Sequence, residues 1–249
     1  MSIELYQAVH SGQSQSVSSW AFEELSRRII DGRLSPGERV TEEALVKEIG
    51  ASRTPVRDAI KQLEELGLIV RERNRTLRIA PLQSEELLEL VSLREHLEGL
   101  AAFEVTRLVA LGKASTSRLW EIIDQLEDAE SKLEGTKRTD RIFELGTVFH
   151  ATLVASSGMG RVARIHAGLQ LALARYRLVN ATDGRRLVHR SQEHRQIVEA
   201  LEAGEPAGAE HAMRQHIREG LKAYTTNTAA GETTDHLWPV NSDTLQGEH

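Results

Sequence analysis

Three basic side chains follow a helix-starting signal in the first third of the chain. Arg53, Arg57 and Lys61 are spaced four residues apart, so on a helix they form one outward basic row. Ser52 or Thr54 can cap the start of that helix, where unpaired backbone N–H groups attract anions. This pattern predicts insertion into a DNA groove, with a solvated charged helix face as the alternative.

Histidines form a second set of reactive side chains, in the C-terminal half. Periodicity places His150, His194 and His216 on apolar helix faces, whereas His189 and His211 have polar neighbours. A single inward histidine is ordinarily a buried side chain with a hydrogen-bond partner. Burying three imidazoles without a shared purpose is costly, so the set predicts a common site.

Arg94 is the third candidate, because it shares a helical stripe with apolar side chains. It either pairs with Glu98, four residues later, at the edge of a helix bundle, or it enters the bundle to bind a carboxylate. Periodicity does not decide whether His166 or the run from Arg175 to Arg177 reaches the same cavity.

The elements that position these side chains begin with an N-terminal domain of three helices and a β-hairpin. A helical rhythm over residues 17–30 is followed by a helix that Thr41 caps, and a turn at Gly50 leads into the basic helix. Two β-like stretches then flank a basic loop that contains Arg75. This order predicts a winged helix-turn-helix over residues 16–82. The predicted strands are residues 68–71 and 77–80.

The rest of the chain predicts a C-terminal bundle. The pattern is helical throughout residues 84–226, so we expect a mainly α fold with an all-helical second domain. Residues 1–15 and 227–249 are polar and aperiodic, which predicts a flexible N-terminal arm and a flexible C-terminal tail. The bundle helices are predicted near residues 84–112, 116–134, 138–157, 161–180, 185–203 and 206–225.

Four motifs are spaced along the N-terminal domain: Gly32-x-Leu34-x-Pro36-Gly37, Leu45-x-x-x-Ile49-Gly50, Ser52-Arg53-Thr54-Pro55-Val56-Arg57-Asp58-Ala59 and Leu63-x-x-x-Gly67-Leu68. Through them the domain resembles the GntR family of bacterial transcription regulators. The resemblance implies that Arg53, Thr54 and Arg57 contact operator DNA and that the wing tip approaches the minor groove. With Ser52 and Arg75 they form the predicted DNA-binding set. Thr76 departs from the family, which usually has a glycine there.

Three segments of the bundle contain the inward histidines: Phe149-His150-x-x-Leu153, Glu193-His194-x-x-Ile197-x-x-Ala200 and His216. Through them the bundle is similar to the FadR-type effector domain of the same superfamily. In many relatives the three histidines and an aspartate one turn before the first bind a divalent metal, often zinc or nickel. Gly146 replaces that acid here, and Asp140 and Glu144 lie on other helix faces. The resemblance also implies that Arg94 senses a small organic acid.

Charge and composition agree with this division. Residues 53–78 carry seven basic and four acidic side chains, although the whole chain has a net charge of −6. A local basic patch on an acidic protein predicts sequence-guided docking rather than general polyanion binding. The absence of cysteine excludes disulfides. The sequence has neither a signal peptide nor a membrane-spanning run, so we expect a cytoplasmic protein with no membrane partner.

The sequence therefore predicts a ligand-responsive transcription regulator. We expect a repressor that a small carboxylate effector, bound by Arg94, His150, His194 and His216, releases from a palindromic double-stranded DNA operator. Zinc or nickel is the candidate metal for the three histidines. A homodimer is expected, because two helix-turn-helix units suit a two-fold operator. The alternatives are a three-histidine metal-dependent enzyme, for which no evident general base is placed, and a purely structural DNA-binding protein.

Overall fold

The computed structural model describes Ile3, Tyr6 and residues 16–72, 76–176 and 190–229, with side chains omitted for residues 190 and 222–229. In these ranges the fold is mainly α, as predicted. The N-terminal domain consists of α1 Val17–Ile30, β1 Arg39–Val40, α2 Glu42–Ile49, α3 Arg53–Glu65, β2 Ile69–Arg71 and β3 Leu77–Ile79.

The helices of the N-terminal domain begin and end at residues that suit helix ends. The Ser16 side-chain oxygen accepts a hydrogen bond from the backbone N–H of Ser19 at the start of α1. Thr41 does the same for Ala44 at the start of α2. Gly50 has a φ of 73°, a left-handed conformation that glycine adopts without steric cost, and it turns the chain from α2 into α3.

The wing is a three-stranded antiparallel sheet with the order β1-β3-β2. Strands β2 and β3 lie within the two predicted stretches, but β1 adds a strand to the predicted hairpin. It pairs Arg39 with Arg78 and Val40 with Leu77. A strand of two residues shows no alternation of apolar and polar side chains, so periodicity could not detect it.

Six helices form the C-terminal bundle in the described ranges. Helix α9 packs along α4, and α5 packs against α6. None of the described helices is long and apolar enough to cross a lipid bilayer. The helices are α4 Ser84–Ala110, α5 Ser117–Lys132, α6 Gly135–Ser156, α7 Gly160–Ala174, α8 Arg190–Glu202 and α9 Pro206–Ala229.

Two predicted boundaries in the bundle change. Helix α7 ends at Ala174, well before the predicted residue 180, because the backbone turns at Arg175 and Tyr176. Helix α9 continues through Ala229, so the predicted tail, which was to start at residue 227, begins inside a helix. The predicted helical residues 185–189 lie outside the described residues.

Helix α7 packs against both domains. From His166 to Tyr176 every residue is buried except Leu173, which is partly exposed. Leu171 and Ala174 belong to the same apolar core as Leu63 of α3. Such burial around nearly the whole circumference is unusual for a helix of a small bundle, and it places α7 between the two domains.

Two residues of the predicted flexible arm are packed in a helical conformation. Ile3 is buried in the core of the N-terminal domain, and the Tyr6 ring lies 5.1 Å from the Phe22 ring, measured between centroids. The expectation of a flexible arm does not hold at these positions, because apolar side chains can be buried there. The other residues of the arm lie outside the described ranges.

Candidate functional site

The outward face of α3 carries four of the side chains predicted to contact DNA. Ser52, Arg53, Thr54 and Arg57 are all exposed. Ser52 precedes the helix with an extended backbone and makes no side-chain capping hydrogen bond, so the start of α3 is open to an anion. The opposite face anchors the helix through its buried residues Pro55, Val56, Ala59, Ile60 and Leu63.

Arg57 is held by an intramolecular carboxylate. Its Nε lies 3.1 Å from Oε2 of Glu42 on α2, and the Arg57 side chain is 66% exposed. Glu42 Oε1 also accepts a hydrogen bond from Arg71 Nη1 at 3.2 Å. Exposed ion pairs contribute about 0–1 kcal/mol, so Arg57 can exchange Glu42 for another anion. Arg75, the predicted wing contact, lies outside the described residues.

Three helices bring their histidines together inside the bundle. His150 on α6, His194 on α8 and His216 on α9 are all buried and form the histidine cluster. Nε2 of His150 lies 3.4 Å from Nε2 of His194 and 3.3 Å from Nε2 of His216. His211, on the same helix as His216, is exposed, and His189 lies outside the described residues.

A carboxylate lies behind each of two of these imidazoles. His216 Nδ1 lies 2.9 Å from Glu193 Oε2. His150 Nδ1 lies 2.6 Å from Glu98 Oε2 in a short but poorly aligned contact, and among the described residues neither atom has another hydrogen-bond partner. Burial, followed by the positive charge of Arg94, lowers the pKa of His150 to about 3, so its imidazole is neutral. With the proton on Nδ1, each Nε2 lone pair is directed into the cluster.

The spacing of the Nε2 atoms fits a tetrahedral metal. Zinc binds imidazole nitrogen at about 2.0–2.1 Å, so two ligands of a tetrahedral ion lie about 3.3–3.4 Å apart. Both distances from His150 Nε2 match this separation. Without a cation, lone pairs would face one another across the same gap. Three imidazoles, two of them backed by carboxylates, are a donor set that suits zinc or nickel.

Arg94 lines a small cavity beside the histidine cluster. The cavity has a volume of about 110 Å³, and its walls include Arg94, Gly146, His150 and His194. Arg94 Nε donates a hydrogen bond to Glu98 Oε1 at 2.8 Å. The sequence left open whether Arg94 pairs with Glu98 at the bundle edge or enters the bundle, and the pair that forms lies inside the bundle, because Glu98 is fully buried. Within the described part of the chain Nε is the one engaged nitrogen of Arg94, so the pair leaves the rest of the guanidinium for a ligand.

Gly146 leaves open space in the cavity wall, one turn before His150. A Cβ added at Gly146 would meet no atom within 4 Å. Glu144 pairs with Arg141 at 2.7 Å, and Asp140 is exposed, so neither takes the place of an acid at Gly146. The protein therefore supplies three neutral donors, and no anionic one from this wall.

The sequence matches two protein-family models, one for each domain. Residues 89–219, more than half of the chain, match the FCD domain, and residues 18–79 match the model described as "Bacterial regulatory proteins, gntR family". The chain belongs to the GntR family. Its winged helix-turn-helix and its helical bundle are the two domains of a GntR-family regulator with an FCD effector domain.

Similar proteins carry the names of transcription regulators. A protein of Paenarthrobacter nicotinovorans, described as "Probable D-xylose utilization operon transcriptional repressor", is 32% identical over 209 residues, which cover 84% of this chain and 88% of its own. The transcriptional repressor GlaR of Escherichia coli is 26% identical over 203 residues, covering 78% and 89%. The solved structure of Escherichia coli McbR/YncC shares the fold, with a TM-score of 0.69 at 19% identity over 86% of this chain and 99% of its own.

These relationships decide between the predicted classes of function. GntR-family proteins are transcription regulators that bind operator DNA, and they are not enzymes. The three-histidine enzyme is therefore set aside. This GntR-family chain is a DNA-binding transcription regulator, and its polar bundle interior belongs to an effector domain.

Sequence reasoning missed the centre of that polar interior. Glu98 Oε1 accepts a hydrogen bond from His166 Nε2 at 2.7 Å and from Gln170 Nε2 at 3.3 Å. Burial by itself raises the pKa of Glu98, but Arg94 and His150 outweigh it and hold the pKa well below its usual value. These five residues form the Glu98 cluster. The available signal was the spacing of Glu98 from Arg94, which ordinarily indicates an exposed pair.

Proposed function

We propose that this GntR-family protein is a repressor that leaves a palindromic operator when a small carboxylate binds beside the histidine cluster. The observation that supports this most strongly is the convergence of three Nε2 atoms at metal-ligand spacing, next to a cavity that Arg94 lines. The effector shifts the protein between two states, because it binds the state with low DNA affinity more tightly.

His150, His194 and His216 would hold zinc or nickel. A bound ion would supply a Lewis-acid centre for a carboxylate oxygen. The carboxylates behind His150 and His216 orient their rings, so the lone pairs are in place before a metal arrives. Because Gly146 contributes no acid, the fourth coordination position is left to water or to the effector.

The charge of the cavity indicates the class of effector. The side chain of Arg94 is only 22% exposed, and a metal on the histidine cluster would add further positive charge. An anion is the ligand that compensates such a site, and a carboxylate matches the geometry of arginine. A cavity of about 110 Å³ suits a small mono- or dicarboxylate. The name of one relative concerns D-xylose utilization, so a sugar is the competing class.

A thermal-shift screen of zinc-loaded protein tests the effector class. Short carboxylates should stabilise the wild type by about 2.7 kcal/mol at about 100 times their Kd. Arg94→Ala should lose these shifts. Arg107→Ala is the matched control, because Arg107 is an exposed arginine of α4 that pairs with Glu104, and it should keep them. The acids that stabilise the protein should also release DNA. Shifts with D-xylose, or shifts that survive in Arg94→Ala, would contradict the carboxylate hypothesis.

On the DNA side, we propose that Ser52, Arg53, Thr54 and Arg57 contact the operator, with Arg75 of the wing. The four residues of the α3 region are exposed at the end of the helix where free N–H groups attract phosphate. A homodimer would place two copies of α3 on the half-sites of a palindrome.

The outer face of α4 is the surface that we propose for this dimer. Leu93, Leu97 and Leu100 are spaced four and three residues apart, so they form one apolar stripe. Leu93 is 56% exposed and Leu100 is 47% exposed. An apolar stripe of this kind indicates an interaction surface, and a second copy of the chain is the partner that a two-fold operator requires.

Sedimentation of two charged variants tests this surface. Leu100→Glu should convert the dimer to monomer, because it buries a carboxylate in the contact. Leu88→Glu is the matched control, since Leu88 is also 47% exposed but lies about 120° away around α4, and it should remain a dimer. Monomers from both variants, or from neither, would reject this face.

A further inference from the structure

Helix α7 contacts both the Glu98 cluster and the N-terminal domain, and the two contacts lie along a stretch of about 15 Å of the helix. On one side His166 and Gln170 donate hydrogen bonds to Glu98, and Gln170 also lines the cavity. On the other side Leu171 and Ala174 pack in the core of the N-terminal domain. One helix therefore borders both the candidate effector cavity and the DNA-binding domain.

Gly168 of α7 lies against Leu66, the residue that follows α3. A Cβ built on Gly168 would lie 2.9 Å from Cδ2 of Leu66. Glycine is unfavourable inside a helix, but here it permits a separation that alanine would not. The position of α7 is thus defined directly against the DNA-facing helix.

The residues after α7 bind the link between the domains. The buried Arg175 donates hydrogen bonds to the carbonyl oxygen of Ala80 at 3.2 Å and to both carboxylate oxygens of Glu86, at 2.8 and 3.0 Å. The Tyr176 hydroxyl donates to the carbonyl oxygen of Gln83 at 3.1 Å. Ala80 follows β3 and Glu86 lies in the first turn of α4, so α7 is tied to the wing and to the bundle.

Glu98 connects this helix to the cavity. Its Oε1 accepts hydrogen bonds from Arg94 and His166, and its Oε2 faces His150. A shift of Arg94 toward an anion, or of His150 toward a metal, changes the contacts of the same carboxylate that holds α7. Because unmade hydrogen bonds are costly in a buried polar network, the members of the Glu98 cluster respond together.

We propose that Glu98 is a positioning residue that transmits the occupation of the cavity, through α7, to the end of α3. The proposal takes the location of the effector from the proposed function, but the connection itself does not depend on which ligand binds. A helix that is packed on nearly every side cannot shift without repacking its neighbours, and the contact with Leu66 is the first to change.

Amide hydrogen exchange of the full chain tests the connection without operator or effector. Glu98→Gln removes the charge that holds α7 and keeps the size of the side chain. It should raise exchange in α3 by at least about fivefold, the lower end of ordinary coupling between sites. Glu95→Gln is the matched control, because Glu95 lies on the same helix but pairs with Arg214 and Arg218 of α9. It should leave α3 unchanged.

Helix α5, which packs on α6 and α8, reports whether each variant is folded. If Glu98→Gln raises exchange in α5 as well, Gln170→Ala replaces it, since it removes the 3.3 Å hydrogen bond to Glu98 and the 3.1 Å contact with His166 but leaves the Glu98 carboxylate in place. Gln170→Ala should raise exchange in α3 and leave α5 unchanged. The proposal would be overturned if Glu95→Gln changed exchange in α3 as much as Glu98→Gln or Gln170→Ala does. It would also be overturned if none of these variants changed exchange in α3.

Adding zinc provides a second hydrogen-exchange test of the connection, with its own control variant. Zinc should change exchange in α3 of the wild type, and Gly168→Ala, which moves α7 away from Leu66, should abolish that change. Gly160→Ala makes the same substitution at the start of α7, where the new Cβ would lie 3.9 Å from Arg164 Nη1, and should preserve it. A full zinc response in Gly168→Ala would reject the route through α7. Failure of the wild type to bind zinc would reject the metal site alone. The exchange comparison of Glu98→Gln with Glu95→Gln would still test the connection through α7.

Discussion

The outer face of α3 and the Glu98 cluster both concentrate charge, but they do so in opposite surroundings. On α3 the basic side chains are exposed, and Arg57 pairs with the carboxylate of Glu42. In the bundle one buried carboxylate contacts Arg94, His150 and His166 at once. Exposed charges cost little to hold and can change partners, which suits a long polyanion. Buried charges must be positioned in advance, which suits a small ligand chosen by shape and charge.

The largest effect should come from a ligand of the histidine cluster. His194→Ala should weaken zinc binding by more than about 100-fold, because losing even an outer-shell partner of a metal site costs about 10–100-fold. His211→Ala, an exposed histidine of α9, should bind zinc like the wild type. Competition with a chelator measures both affinities. Wild-type zinc affinity in His194→Ala would show that the buried histidines are structural.

A smaller effect, on DNA affinity, is expected from the exposed face of α3. Arg57→Ala should cost about 1–3 kcal/mol at the operator, because it removes a contact to a base edge. Arg75→Ala should instead weaken operator and random duplex alike and flatten the salt dependence. Titration of both variants against a duplex selected by the wild type and against a random duplex separates the two roles. If Arg57→Ala binds the selected duplex normally, α3 does not read the sequence.

The smallest effect should come from adding the acid that the cavity wall lacks. Gly146→Asp should tighten zinc binding by about tenfold, since it supplies an anionic ligand where a Cβ meets no obstacle. The same carboxylate should compete with an acid effector and reduce its thermal shift. Zinc competition and the thermal-shift screen give the two readings. Unchanged zinc affinity in Gly146→Asp would mean that this wall does not face the metal.

The helices were predictable because each has an apolar stripe at helical spacing. In α3 the stripe consists of Val56, Ile60 and Leu63, spaced four and three residues apart, and all three are buried. Helical spacing also directed His150, His194 and His216 inward, where they meet. Periodicity specifies the face of a residue on its own helix, and the core of a bundle then brings inward faces together.

Neither the burial of Glu98 nor the strand β1 could be predicted from the sequence. The burial of Glu98 depends on partners from α6 and α7, which are distant in sequence, and a lone glutamate on a charged helix indicates exposure. Strand β1 exists because the edge of β3 is available to Arg39 and Val40. Both features depend on tertiary contacts, which local sequence does not specify.

The pairing of Arg57 with Glu42 has a consequence for how fast an operator is found. If Arg57 contacts DNA as proposed, on random sequence it would exchange this carboxylate for a phosphate, so one ion pair would replace another with little gain. At an operator, a guanine edge would offer it two acceptors in a fixed geometry, which a contact through Nε does not match. Glu42 would then shorten visits to random DNA more than residence at the operator. Because random sites outnumber operators by about a million-fold or more, brief visits speed the search along a chromosome.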